Sequence, residues 1–302
     1  MGGCDATEAF AGFDFRIALD RRSACFSPLR GGWRRFRRGS SVFPEECIIE
    51  NGRAVWRVRV WVGVAMSSLW KRVVVKLSGE ALMGPLTHGL HEPTLKRVAQ
   101  DLAASSALGV EIAVVVGGGN FFRGIHGADK GIDRARADSI GMLATVMNGL
   151  ALEHAIEKEG QSARALSAVP MPFVCQPYSR QAALNHLGKG RVTVLAGGTG
   201  NPFFTTDTGA ALRGAELSCD AILKATQVDG VYTADPKKDP TATRYERLTH
   251  DEAIARHIEV MDTAAFALAR DNRIPIIVFS IQEAGAITAA LEGRGRSTIV
   301  TP

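Results

Sequence analysis

The sequence is short of the residue patterns that usually announce a site. Its five cysteines, at 4, 25, 47, 175 and 219, form no CxxC or other metal spacing, and its seven histidines include no HExxH. No metal cage is expected on that ground, and an odd number of cysteines argues against a disulfide framework. A reducing cytoplasm is the compartment that such cysteine usage fits. No apolar run reaches the ~18 residues of a membrane-spanning helix, so none is expected. GxxxxGK[ST] is absent, which excludes a P-loop enzyme, and the dinucleotide fingerprint GxGxxG fails at Phe122. Neither a His–Asp nor a Cys–His constellation stands out for nucleophilic catalysis.

A strong charge bias is missing too. The chain has 302 residues and a formal net charge of +5, but residues 1–65 hold eleven Arg against seven Asp plus Glu. Most of the basic excess therefore lies in that segment, and the remainder makes no electrostatic case for nucleic acid. The same 65 residues contain no lysine, three of the four tryptophans and three of the five cysteines. Arg34-Arg35-Phe36-Arg37-Arg38 suits either a nucleic-acid patch or part of a targeting peptide. The charged-then-apolar order of a secretory signal is lacking, and Asp5, Glu8, Asp14 and Asp20 do not suit a transit peptide. We expect residues 1–65 to be a disordered extension or an upstream stretch preceding a true translation start at Met66. Residues 66–302 would then form a single domain.

What is present is a set of apolar strands that end in small residues. Ile112–Val116 is a β-branched run of the kind buried on both faces of a parallel sheet, and Gly117-Gly118-Gly119-Asn120-Phe121-Phe122-Arg123 follows it. Three glycines let the backbone adopt unusual dihedrals and approach a ligand, and Arg123 adds donors suited to phosphate. A plain strand-to-helix turn is the alternative. Earlier, Lys71–Glu80 is a strand running into a small-residue turn, with Lys76 where the strand ends beside Ser78 and Gly79, as a phosphate ligand or as a lysine snorkelling from a sheet edge.

Residues 92–108 form an amphipathic helix. Ile140, Leu143, Ala144, Met147, Ala151 and His154 make a helical stripe expected to be core, with Asp138 near its start as a ligand-hydroxyl acceptor or an ordinary first-turn acid. Strands at Arg164–Val169 and Arg191–Ala196 flank a helix over Ser179–Leu187. The second strand ends in Gly197-Gly198-Thr199-Gly200, before a helix at Ala210–Leu217 capped by the Thr205/Thr206 pair, a ready anion site. Then follow a strand at Ala221–Ala225, an Asp229-Gly230 turn with Tyr232 placed to stack on a base, helices at 250–257 and 262–271, a strand at Ile276–Ser280, another helix and a closing strand at Ser297–Val300. Alternating strands and helices imply an α/β fold, a three-layer αβα sandwich with a mainly parallel central sheet, its ligands at the carboxyl ends of the strands.

Two glycine loops on different strands suggest two phosphate-bearing ligands side by side. Phosphoryl transfer between them needs positioning and positive charge more than covalent chemistry. An acceptor that is itself a phosphate needs no general base, because it is largely ionised near neutral pH.

Lys76-Leu77-Ser78-Gly79-Glu80-Ala81-Leu82, the block Gly117–Gly124, Thr199–Asp207, Val228–Pro236 and Met261-Asp262-Thr263-Ala264-Ala265-Phe266 together resemble the bacterial uridylate kinases of the amino-acid kinase superfamily, over about residues 70–300. That resemblance implies transfer of the γ-phosphoryl group of Mg-ATP to UMP, giving UDP and ADP in pyrimidine nucleotide synthesis. It places Lys76, Leu77, Ser78, Gly79, Gly119, Arg123, Thr226, Tyr232 and Asp235 on ATP. It places Gly118, Asp138, Thr199, Gly200, Asn201, Pro202, Phe203, Phe204, Thr205 and Thr206 on UMP. Lys76 and Lys224 would neutralise the transferring group with Arg123, and Asp207 would orient lysines and magnesium, with Asp262 as a further catalytic candidate. Magnesium would arrive on ATP, with no direct protein ligand. A homohexamer, activation by GTP and inhibition by UTP are also implied.

Two segments depart from the family pattern: Gln227 stands where relatives often carry lysine, and Gly84-Pro85-Leu86-Thr87-His88-Gly89 occupies the segment linked to GTP activation. Rival readings are a sibling kinase acting on a carboxylate or carbamate, and a non-catalytic uridine-nucleotide sensor. Thr199–Asp207 weighs against the first, and Lys76, Arg123 and Asp207 weigh against the second.

Overall fold

The computed structural model describes residues 42–50, 53–60, 70–122, 131–234, 236 and 238–302. The chain divides into two units, Met1–Ala65 and Met66–Pro302. In the first, β1 (Val42–Glu50) and β2 (Arg53–Val60) pair antiparallel, from Val42 opposite Val60 to Glu50 opposite Arg53. The expectation for this segment is a disordered extension or an upstream stretch, with no strand in it. It overlooked Asn51-Gly52, a strong hairpin signal between two β-branched stretches.

In the second unit the strands are β3 (Arg72–Leu77), β4 (Glu111–Val116), β5 (Ala163–Ser167), β6 (Gln176–Pro177), β7 (Val192–Ala196), β8 (Ala221–Thr226), β9 (Arg247–Thr249), β10 (Ile276–Ser280) and β11 (Ser297–Thr301). They form one nine-stranded sheet in the order β6-β5-β7-β4-β3-β8-β10-β11-β9. All neighbours are parallel except β10 and β11. The helices are α1 (Glu92–Ala107), α2 (Arg134–Lys158), α3 (Arg180–Leu187), α4 (Thr206–Glu216), α5 (His250–Ala255), α6 (Thr263–Asp271) and α7 (Ala286–Leu291).

The pleat of the central strands sorts their side chains into two cores. Val73, Val75, Leu77, Ile112, Val114 and Val116 pack with α1, α2 and α7. Val74, Ala113 and Val115 pack on the other face with α3, α4 and α6. Strands sealed on both faces have no polar alternation, which is why they read as continuous β-branched runs. The expected αβα sandwich is therefore the architecture observed.

Two expectations are corrected. Of the stripe Ile140, Leu143, Ala144, Met147, Ala151 and His154, only Ala144 is buried; Leu143, Met147 and His154 are exposed. The buried face carries Ala137, Ala144, Thr145, Val146, Asn148, Gly149, Leu152, Ala155 and Ile156. Apolar residues lie all around this helix, so period alone did not orient it; small residues face the sheet because the helix lies close to it, with a Cβ on Gly149 falling 3.3 Å from Ala196 Cβ. The second correction concerns α4. It starts at Thr206, four residues before the expected start, and Thr205 alone caps it, its hydroxyl accepting from the Asp207 and Thr208 amides.

Candidate active site

β7, β4, β3 and β8 are adjacent and parallel, so the four segments leaving their carboxyl ends line one rim. At that rim Lys76 of β3 lies directly across from Lys224 of β8. Their neighbours Val75, Leu77, Leu223 and Ala225 fill the core on the opposite side, so alternation turns both lysines toward α4. Both are buried, 6% and 7% exposed. A buried ammonium needs a counter-charge, and Asp207 in the first turn of α4 supplies one for both. Its Oδ1 accepts from Lys76 Nζ at 2.7 Å and from Lys224 Nζ at 2.5 Å.

Two lysines on one carboxylate leave an excess positive charge in a dry place. Burial, and after it the Lys76 charge, holds Lys224 below its ordinary value, down to about 8, against the pull of Asp207. Burial alone would raise Asp207, but the two ammonium groups outweigh it and keep the carboxyl below its usual range. The cluster is thus an anion receptor whose internal counter-ion is already saturated.

The segments that follow β3, β4 and β7 leave the sheet at the same rim. Ser78 caps a short 3₁₀ turn, Gly79–Leu82, by accepting from Ala81 N. Gly79 lies against the next loop, where a Cβ would stand 2.7 Å from Gly119 N. Leu77 is a core side chain, and its carbonyl accepts from Gly117 N at 2.8 Å. Gly118 is buried against α2, whereas Gly119 is partly open. The Gly117–Gly119 run does not use left-handed dihedrals as expected; none of the three has a positive φ. The loop after β7 does, with φ of 77° at Gly197, 56° at Gly198, 84° at Gly200 and 70° at Phe203. It carries Thr199, Asn201, Pro202, Phe204 and Thr205 to the start of α4 at Thr206, with Phe203 and Phe204 exposed.

Asp138 sits at this loop: it accepts from Phe203 N at 2.8 Å and pairs with Arg134 at 2.9 Å. Asp262 caps α6 through Ala265 N, and its carboxylate also accepts from the Thr205 and Thr208 hydroxyls. It therefore fixes the start of α4, which carries Asp207. Thr226 ends β8, its hydroxyl donating to Val228 O at 2.6 Å. Tyr232 donates to Asp229 Oδ1 at 2.5 Å. Arg123 and Asp235 lie outside the described residues.

Sequence reading missed a cleft of about 540 Å³ beyond β8 and β10, lined by Gln227, Tyr232, Phe279, Gln282, Arg294 and Arg296 among others. Ser280 pairs with Thr226, which brings residues some fifty positions apart in the chain to one wall. It also missed Thr145, whose hydroxyl accepts from Gly197 N, and Asn148, which donates to Gly117 O. Two polar residues three apart in the otherwise apolar stretch Ile140–Leu152 were the available signal.

Parallel strands, two glycine loops at their carboxyl ends and a buried lysine pair on one carboxylate are the make-up of an α/β phosphotransferase. The model of the amino acid kinase family matches residues 71–280. Uridylate kinase of Azorhizobium caulinodans is 65% identical over 233 residues, 77% of this chain and 98% of that protein. Uridylate kinase of Nitrobacter hamburgensis is 60% identical over 231 residues, 76% of this chain and 97% of that one. The UMP kinase crystal structure from Bacillus anthracis superposes with a TM-score of 0.74 at 38% identity, covering 77% of this chain and 96% of that one. This chain belongs to the amino acid kinase family, in its uridylate kinase branch.

Proposed function

We propose that residues 66–302 transfer the γ-phosphoryl group of ATP to UMP, giving ADP and UDP. The observation that carries this is the shared carboxylate: Asp207 holds Lys76 and Lys224 from neighbouring strands at 2.7 and 2.5 Å, at the rim where both glycine loops leave the sheet. In a loose phosphoryl-transfer transition state, charge spreads over oxygens that no general base can serve, and fixed cations stabilise it. Lys76 and Lys224 are those cations, with Arg123 as a third, and Asp207 keeps them aimed. The phosphate of UMP has a second pKa of about 6 and attacks as the dianion, so no residue need remove a proton.

The loop after β7, Thr199–Thr206, with Asp138 and Gly118, would hold UMP. Ser78, Gly79, Gly119, Thr226, Tyr232 and Asp235 would hold ATP, whose base suits the cleft beside Gln227. Magnesium fits a site of this make-up as a passenger of the triphosphate, where it would offset phosphate charge. Asp207 is the carboxylate that would face it, and among the described residues no cluster of His, Cys, Asp and Glu offers a separate cage.

Exposed Leu143 and Met147 on α2 support self-association, for which the family resemblance suggests a hexamer. GTP activation and UTP inhibition are proposed on that resemblance alone. Cytoplasmic residence is supported by the free thiols of Cys175 and Cys219, and no helix among the described residues is long and apolar enough to cross a membrane.

The test is ADP release with UMP, CMP, AMP and GMP as acceptors, beside acetylglutamate and carbamate. Turnover confined to UMP, or strongest with it, is expected. Carboxylate or carbamate turnover, or none at all, would overturn the assignment.

A further inference from the structure

We infer that helix α2 is the spacer that sets the separation of the loops after β4 and β7, with Thr145 and Asn148 as its positioning residues. The inference rests on the two-loop reading above and concerns residues to which that reading gives no role. Thr145 and Asn148 are 2% and 0% exposed, on the face of α2 that packs on the sheet. A buried hydroxyl and a buried amide are costly unless bonded, and here each is spent on a loop.

Thr145 Oγ1 donates to Met142 O at 2.7 Å within its own helix, which fixes its rotamer, and accepts from Gly197 N at 2.7 Å. Asn148 Nδ2 donates to Gly117 O at 2.6 Å and to Asn120 Oδ1 at 2.7 Å, and its Oδ1 accepts from Asn120 Nδ2 at 3.0 Å. Thus one residue grips the first glycine of the loop after β7 and the other grips the Gly117–Asn120 loop, which would meet UMP at Gly118 and ATP at Gly119. Thr145 and Asn148 are three positions apart, a rise of about 4.5 Å along a helix.

Direct backbone contact reinforces the grip. Gly118 lies so close to α2 that a Cβ would stand 2.7 Å from Gly141 O and 3.1 Å from Thr145 N. Seven residues before Thr145, on the same side of the helix, Asp138 accepts from Phe203 N. Each loop is therefore referred to a rigid rod rather than to the other loop. That matters because in-line transfer needs reacting atoms about 3–3.5 Å apart, and a ~1 Å error can cost about 100-fold.

The experiment compares Thr145→Val, which keeps the shape and loses the hydroxyl, with Thr145→Ser, which keeps the hydroxyl. Steady-state kinetics with UMP and ATP varied separately should show KM for UMP raised about tenfold in Thr145→Val with KM for ATP within about twofold, and near wild-type constants in Thr145→Ser. Asn148→Ala should raise both KM values, because the loop it holds would meet UMP at Gly118 and ATP at Gly119; if it fails to fold, the Thr145 pair decides alone. Amide deuterium exchange gives a readout that needs no turnover: Thr145→Val should speed exchange at Gly197 about tenfold and leave Gly117–Asn120 unchanged. For Thr145→Val, an equal rise of both KM values, an unchanged KM for UMP, or unchanged exchange at Gly197 overturns the inference. Absence of UMP turnover in the wild-type chain would instead sink the assigned reaction, and the exchange result would still judge the spacer.

Discussion

The loops that follow β4 and β7 both open on consecutive glycines, yet they use glycine for different reasons. At Gly117 and Gly118 the backbone is ordinary and the space is gone: added Cβ atoms would fall 2.9 Å from Gly79 N and 2.7 Å from Gly141 O. At Gly198 the space is open, with nothing within 4 Å, and the backbone is left-handed at φ 56°. The first loop is a close-packed wedge between β3 and α2, and the second is a bend built on left-handed residues. One residue type thus serves packing in one place and conformation in the other, and only coordinates separate the two.

The lysine pair beside the loops gives the most severe test. Lys76→Ala removes a buried cation that the proposed reaction uses, and turnover should fall by about 10³-fold or more. UMP affinity by calorimetry should stay within a few-fold, because the acceptor cradle lies on β7 and α4. If UMP binding collapsed as well, the loops would not be separable units and the contrast drawn above would fail.

Gly118→Ala comes next. The new methyl meets a helix carbonyl that cannot move alone, so an overpacking cost of about 1–3 kcal/mol is expected in thermal unfolding. A loss of turnover on the order of 100-fold should accompany it, as the Gly117–Gly119 loop is pushed from α2. A variant as stable and active as the wild type would mean that the wedge is not tight.

Much of this was legible in the sequence. The β-branched runs located the central strands, and glycine after each run marked the ligand-facing rim, because parallel strands buried on both faces leave few other patterns. Lys76 and Asp207 were found through local motifs. The orientation of α2 was not legible: Leu143 and Met147 look like core, and the true inner face is made of small and polar residues. The contact of Lys224 with Lys76 spans 148 positions and exists only through β8 pairing with β3. The cleft beside Gln227 is likewise a product of β10 lying next to β8.

The lysine pair itself offers a test of opposite sign. Lys224 has a folded-state value near 8 against an ordinary 10.5, so the unfolded chain binds a proton that the folded one resists between those values. Folding is therefore penalised below about pH 8, and the penalty fades as pH rises from 8 toward 10.5. Lys224→Met should melt later than wild type at pH 7, by roughly 1–3 kcal/mol, while losing most of its turnover. The stability gap between the two proteins should narrow above pH 8. A less stable Lys224→Met at pH 7 would show that the second lysine supports the fold rather than straining it, and would remove the argument that the site holds surplus positive charge.

Gly198→Ala should have the smallest effect and is the sharpest check on the contrast between the loops. No neighbour obstructs the methyl, so the whole cost is that of holding an L-residue at φ 56°, about 1–2 kcal/mol. Part of that cost is a backbone preference that the chain meets by relaxing locally, and the anchor at Gly197 N to Thr145 lies one residue upstream, untouched. We therefore expect a modest drop in melting temperature, KM for UMP raised a few-fold and KM for ATP unchanged. Gly198→Asn should recover part of the loss, since asparagine tolerates the left-handed region better than alanine. No such rescue is expected from Gly118→Asn, where any Cβ collides. Equal behaviour of asparagine at the two positions would show that both loops need glycine for the same reason.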